Sequence, residues 1–299
     1  MSKYRSDQSP GPLDRRLSRR AAFGRFAGAG AAAVLTTGAL SRPSVATTQE
    51  GTPMSEATPS ATGALTVVLV HGAFADASGW AGVIGELQAA GVSVVAPANP
   101  LRGVASDAAY IASVASQIDG PVLLVGHSYG GVVITNAAPQ APNVVGLVYV
   151  AAFAPDEGET IQALAEAATD SLLGPALRPA QYPTGPDSEP GVELSIDQAM
   201  FHEVFAADLP AETAAFMAVS QRPGSALGFG EPSGVPGWKT LPSWAVVATA
   251  DKTIGVTGER LMAQRAGAIT VEIDASHVVM ISQPKAVADL ILTAAGSVG

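Results

Sequence analysis

Val122-Leu123-Leu124-Val125-Gly126-His127-Ser128-Tyr129-Gly130-Gly131 opens as an uncharged apolar run and closes as G-H-S-Y-G-G. A helix-forming stretch, Val132 to Ala138, follows directly. The order is strand, sharp turn, helix, with a serine at the apex. Strand and helix approach closely at such a turn, so the residues two before and two after the serine must be small, as Gly126 and Gly130 are. The turn is strained and lifts the hydroxyl clear of the sheet end. The N–H of Tyr129 then opens a helix, where it can bind a developing anion. The alternative for the same residues is a glycine-rich loop with Ser128 as a helix N-cap.

Working outward, apolar runs and helical stretches alternate. Leu65 to Val70 is a buried strand, Ser78 to Ala90 a helix closed by Gly91, Val92 to Ala96 a strand, and Ser106 to Ile118 a helix. Pro121 to Gly126 feeds the serine turn, and Val144 to Val150 is a further buried strand. Runs that are apolar throughout, alternating with helices, predict a mostly parallel sheet covered on both faces, an α/β fold. Active sites in such sheets lie at the carboxyl ends of the strands. The rhythm breaks over 154–241, which has no convincing buried strand. It offers helical pieces at Leu164 to Leu173, Met200 to Phe205 and Ala211 to Val219, separated by Pro/Gly-rich stretches. This segment is expected to be a helical cap over the sheet, and aromatics such as Phe201, Phe205 and Phe229 either pack it down or line an apolar pocket. The alternation resumes with a strand at Ser243 to Ala250, a helix at Val256 to Ala266, a strand at Thr270 to Ile273 and a last helix at Pro284 to Ala295.

A serine hydroxyl needs a base, and the base an orienting acid. The 299 residues contain four histidines, His71, His127, His202 and His277. His277 follows the last strand. His127 is the serine's neighbour and should point away from its hydroxyl, and His202 falls in the cap. Asp251 ends the strand 243–250. The chain order Ser128, Asp251, His277 is the one that accompanies a G-x-S-x-G turn. Asp156, after the strand 144–150, competes for the role of acid, whereas Asp274 is better placed to shape the histidine loop. A second anion donor is expected from the loop after the first strand, His71-Gly72-Ala73-Phe74. The Ala73 N–H is the first choice and Phe74 the next, with Phe74 also a candidate substrate contact.

Composition narrows the remaining classes. No cysteine is present, which excludes disulfides and thiolate chemistry. No tight His/carboxylate cluster suggests a metal, so a metal site is not expected. Net charge is −10, but residues 1–46 hold eight basic and two acidic residues, leaving eight basic and 24 acidic residues beyond. So acidic a body disfavours nucleic acid and anionic membrane surfaces as partners. Residues 1–46 read as an export signal: a basic start, an uncharged Ala/Gly-rich run from Phe26 to Leu40, and small residues ending at Ala46. That run is too short and too weakly apolar for a comfortable membrane span, so no stable insertion is expected after cleavage. Ser18-Arg19-Arg20 with Phe23 is similar to a twin-arginine signal, with the phenylalanine one position late. The Thr/Ser/Pro-rich stretch 47–63 is a linker, and 64–299 is one catalytic domain.

With these residues in view, Leu65 to Ala295 resembles the α/β-hydrolase fold family. H-G-A-F-A-D-A-S-G-W (71–80) and G-H-S-Y-G-G (126–131) are similar to the group of plant methyl-ester esterases and hydroxynitrile lyases. G-L-V-Y-V-A-A-F-A-P (146–155), A-T-A-D (248–251) and A-S-H-V-V (275–279) are more similar still to bacterial hydrolases. The resemblance implies Ser128 as nucleophile, His277 as base, Asp251 as acid, the Ala73 and Tyr129 amides as oxyanion hole, and no cofactor. It departs from the hydroxynitrile lyases, which carry threonine where Gly72 stands and lysine where Val278 stands. The expected function is a secreted serine hydrolase that cleaves a small carboxylic ester through an acyl enzyme. The alternatives are a lyase or cofactor-free peroxidase on the same scaffold, or a non-catalytic ligand-binding protein.

Overall fold

The computed structural model describes residues 63–299. The export signal read over 1–46, and the linker read over 47–63 except Gly63, lie outside the described residues. β1 (Thr66–Val70) leads through a 3-10 turn (Ala77–Trp80) to α1 (Ala81–Ala89), β2 (Ser93–Val95) to α2 (Val104–Ser116), and β3 (Val122–Ser128) to α3 (Tyr129–Ala137). β4 (Val144–Ala152) leads into the cap, which contains α4 (Ile161–Ala167), α5 (Leu173–Ala176), β5 (Leu177–Tyr182), β6 (Gly191–Ile196), α6 (Gln198–Phe205), α7 (Ala211–Ser220), β7 (Gly224–Ser225) and α8 (Ala226–Gly230). The chain returns through β8 (Ser243–Ala248), α9 (Val256–Arg265), β9 (Ile269–Ile273), α10 (Val279–Ser282) and α11 (Pro284–Val298).

Six strands form one sheet in the order β2-β1-β3-β4-β8-β9, and every pair is parallel. Its centre explains the uninterrupted apolar runs. Every residue of β1, β3 and β8 is buried, because helices cover both faces. The edges differ. β2 has three residues, and β9 alternates apolar and polar residues with most of them exposed. Short or polar edges limit pairing with a second chain.

Strand order reverses at β1, which has β2 on one side and β3 on the other. Val70 at the end of β1 is in register with Gly126 near the end of β3. The loops leaving these two strands therefore diverge from a common point, which is where an open α/β sheet forms its crevice. His71 to Phe74 and Ser128 leave from that point. The serine turn is tight: a Cβ on Gly126 would lie 2.5 Å from the carbonyl oxygen of Gly130. Gly126→Ala is accordingly expected to overpack the turn and lower stability by about 1–3 kcal/mol. Urea unfolding of the two proteins, compared at equal slope, measures it.

The cap departs from the purely helical insertion expected. Alongside its helices it has a three-stranded antiparallel sheet in the order β5-β6-β7. The reason lies in its exposure. Leu177–Tyr182 (LRPAQY) is largely exposed and carries a proline, so it has neither the apolar run nor the clean alternation of a core strand. Hydrogen bonds tie the cap to the loops at the carboxyl ends of the sheet. Phe74 N donates to Arg222 O (2.8 Å), Ser225 N to Leu101 O (2.9 Å), Leu172 N to Lys252 O (2.7 Å), and Thr253 Oγ1 to Val204 O (2.7 Å). Carboxylates add to these ties. Glu231 accepts from Val104 N and Ala105 N at the start of α2. Asp170 accepts from Thr257 N and Oγ1 at the start of α9, and Asp208 from Ser276 Oγ.

Candidate active site

Ser128 is the last residue of β3 and immediately precedes α3, with φ 54° and ψ −122°. A positive φ at a non-glycine residue is uncommon and costs free energy of order 1–3 kcal/mol. The conformation follows from its surroundings: the fully buried β3 fixes one side of the turn and α3 the other. The side chain caps nothing, which removes the N-cap alternative.

β8 and β9 are neighbours, and their ladder extends past both strand ends through Thr249 N to Ile273 O (2.9 Å) and Ala250 N to Ala275 O (3.0 Å). That extension brings Asp251 and His277 together. His277 Nδ1 lies 2.6 Å from Asp251 Oδ2, and both side chains are fully buried. The other carboxylate oxygen, Oδ1, accepts from Thr253 N (2.5 Å) and Ile254 N (3.1 Å). Burial alone would raise the Asp251 carboxyl, but the His277 charge and these hydrogen bonds outweigh it and hold the group below its ordinary value. An ionised Asp251 accepts from Nδ1–H, so the free lone pair of the ring is on Nε2. Nε2 is buried and has no hydrogen-bond partner among the described residues, and no hydrogen bond joins it to Ser128 Oγ in this structure. Such bonds often tighten only with substrate in place.

The competing acids stand elsewhere. Asp156 is paired with Lys239 at 2.6 Å on a partly exposed surface, and Asp274 is exposed. His127 Nε2 donates to the backbone carbonyl of His277 (2.9 Å), and the two rings are 4.6 Å apart. Burial, and then His277, push His127 far below its ordinary value, so it is neutral. Its bond to the His277 carbonyl steadies the His277 loop. His202 lies in α6 and bonds Leu209 O (3.0 Å).

His71 organises the loop after β1. Its Nε2 accepts from Asn99 N (2.9 Å), so the proton is on Nδ1, which donates to Gly72 O (2.9 Å). Burial keeps this ring neutral. With the Gly72 carbonyl drawn to His71, the trans peptide turns the Ala73 N–H the opposite way. Among the described residues neither Ala73 N nor Tyr129 N has an acceptor. The Phe74 N–H is not available as a donor, because Arg222 O takes it. A Cβ at position 72 would lie 2.6 Å from the Ser128 Cβ, so the backbone here runs directly beside the serine.

The roof of the site is aromatic. Phe205 of α6 is fully buried, with its ring 4.9 Å from that of His277 and 6.1 Å from that of Phe74. Phe229 of α8 packs against Phe74 (6.1 Å) and Tyr129 (6.2 Å). Phe229 also forms one wall of a cavity of about 480 Å³ within the cap, with Leu173, Leu177, Leu194 and Ala226. The Tyr129 hydroxyl donates to Asp107 Oδ2 (2.9 Å) in the core. Sequence reasoning missed Asp107. The signal was present, because Val104, Asp107, Ala108 and Ile111 form one helical stripe in which the carboxylate alone is polar. No group of His, Asp and Glu among the described residues is arranged to hold a metal ion.

A family profile described as "Alpha/beta hydrolase family" matches residues 67–290. Over 44 residues the chain is 54% identical to a carbendazim hydrolyzing esterase from Nocardioides sp. (strain SG-4G). That match spans 14% of this chain and 18% of the esterase. Among solved structures, polyneuridine aldehyde esterase superposes with a TM-score of 0.66 at 22% identity, over 78% of this chain and 99% of that one. A pyrethroid hydrolase from Sphingobium faniae JZ-2 gives 0.65 at 22%, over 78% and 98%. A methylesterase from Arabidopsis gives 0.63 at 19%, over 78% and 99%. At these identities the structural likeness is one of fold.

Proposed function

From the premise that the chain belongs to the alpha/beta hydrolase family, we propose that it cleaves small carboxylic esters through Ser128, His277 and Asp251. Ser128 Oγ attacks the ester carbonyl carbon while His277 Nε2 takes the hydroxyl proton. Asp251 stabilises the imidazolium without taking its proton. The Ala73 and Tyr129 N–H groups receive the carbonyl oxygen as it becomes anionic, Tyr129 with the help of the α3 dipole. The imidazolium then gives its proton to the departing alcohol. Water, deprotonated by His277, releases the acid from the acyl serine.

The observation that carries this reading is the positive φ of Ser128, with the Ala73 and Tyr129 amides lacking an acceptor among the described residues. Folding gains nothing from a strained serine at a sheet end, and strain that persists in a well-packed surround points to use. The esterases and hydrolases among the compared proteins support the same class of reaction. The cap cavity behind Phe229 supports an apolar acyl or alcohol portion in the substrate. The basic, then apolar, order of residues 1–46 supports export by the twin-arginine route.

A fluorophosphonate probe, followed by peptide mass spectrometry, tests the nucleophile. The expected result is one adduct, on Ser128, together with a burst on p-nitrophenyl acetate. Labelling elsewhere, or turnover that persists after complete labelling, would overturn the proposal.

A further inference from the structure

The acid of this site has a second carboxyl group behind it. Glu259 sits on α9 with only 2% of its surface exposed. Its Oε2 accepts from Ala248 N (3.0 Å), and Ala248 O in turn accepts from Asp251 N (3.1 Å). Ala248, at the end of β8, thus holds the Glu259 carboxyl through its N–H and the Asp251 backbone through its carbonyl. Glu259 Oε1 is buried with no hydrogen-bond partner among the described residues. Among the described residues no cation is paired with Glu259. The groups that face Glu259 are Asp251 from the β8 loop, with His277 behind it, Asp170 from the cap, and Tyr149 of β4, whose hydroxyl is engaged with Thr135. On its own helix, Arg260 is turned outward to Glu272.

Two carboxylates buried side by side cannot both ionise. Asp251 has a hydrogen bond from His277 and two from backbone amides, whereas Glu259 has only the Ala248 amide. The proton therefore belongs to Glu259. Since the Ala248 N–H needs an acceptor, Oε2 is the carbonyl oxygen and Oε1 carries the hydrogen. We propose that Glu259 is a positioning residue of the hydrolytic site, a neutral acid whose Oε1–H donates to the Asp251 carboxylate and holds it anionic against His277. This rests on the hydrolase reading above. Burial first, and then the Asp251 charge, push the Glu259 carboxyl far above its ordinary range, in agreement with that geometry. The hydrogen bond weakens Asp251 as a base, so the proton taken from Ser128 stays on the imidazole until the leaving alcohol needs it.

The test compares Glu259→Gln and Glu259→Ala in the full chain. Glutamine keeps an acceptor for Ala248 and a donor for Asp251, and a cavity of about 10 Å³ is lined in part by Glu259. Alanine has neither group. The expected result is a kcat about tenfold to hundredfold lower for Glu259→Ala with KM little changed, and most of that loss restored in Glu259→Gln. The acidic limb of kcat/KM should stay in place in Glu259→Gln, because no charge is removed. Equal losses in the two variants, or an acidic limb moved down by about one pH unit in Glu259→Gln, would overturn the proposal.

A second measurement needs no turnover. A carboxyl raised in the folded state keeps its proton there while the unfolded chain releases it above its ordinary pKa, so stability falls as pH rises. The melting temperature of Glu259→Gln should therefore exceed that of the parent by about 2–4 °C or more at pH 8, with the gap closing toward pH 4.5. A gap that does not grow with pH shows an ionised Glu259 and overturns the proposal. The same pair measured in a Ser128→Ala background separates this outcome from a failure of the hydrolase reading itself.

Discussion

Ser128→Ala is expected to lower kcat on a p-nitrophenyl ester by roughly 10⁶-fold, the order seen when a triad nucleophile is deleted. The structure makes the variant a clean one. The Ser128 side chain caps no helix, so its loss removes no fold-supporting hydrogen bond. Alanine at φ 54° meets the same steric cost as serine, and the thermal midpoint should stay within a few degrees of the parent. The residual rate comes from substrate binding and the two amides of Ala73 and Tyr129, which remain in place. A variant that kept more than a few per cent of the parent rate, with contaminating esterase excluded, would refute the serine mechanism.

Asp251→Asn should cost about 10⁴-fold in kcat, and for a specific reason. Thr253 N and Ile254 N both donate to Oδ1, so an asparagine must place its carbonyl oxygen there. Its amide nitrogen then takes the place of Oδ2, 2.6 Å from His277 Nδ1, and can only donate. Nδ1 becomes the acceptor, the ring proton moves to Nε2, and the base facing the serine is lost. Asp156→Asn is the control. It breaks a partly exposed pair with Lys239, and activity should change by less than about twofold. Steady-state rates of both variants on the same ester decide between the two acids, and a large loss in Asp156→Asn with little in Asp251→Asn would invert the assignment.

The parallel sheet was legible because the helices on both faces leave its central strands apolar throughout, a pattern that loops and cap strands do not share. The serine turn was legible because its glycines answer to close approach, which few other residues survive. The choice between Asp156 and Asp251 was not legible, since both follow a buried strand and chain spacing carries no lateral information. Only the β8–β9 pairing and its extension beyond the strand ends place Asp251 at the imidazole. Loss of the Phe74 amide to Arg222 was equally hidden, because a backbone bond between segments so far apart leaves no mark in side-chain pattern. Cap strands β5 and β6 escaped notice for their mixed polarity. Glu259 could have been found: with Met262 and Ala263 it forms the buried stripe of α9, and an acid on such a stripe calls for a reason.

Phe205 closes over His277, and the cap that carries it is bonded to the outgoing loops of β1, β8 and β9 and to the start of α2. The Phe205 ring lies against the imidazole that serves the serine, and Ser128 keeps only 5% of its surface exposed. If the chain turns over esters as proposed, movement of this roof is expected to accompany admission and departure, and for fast esters to set the pace. Loosening the roof should speed release before it harms the chemistry beneath, so the cap is where faster turnover would be sought.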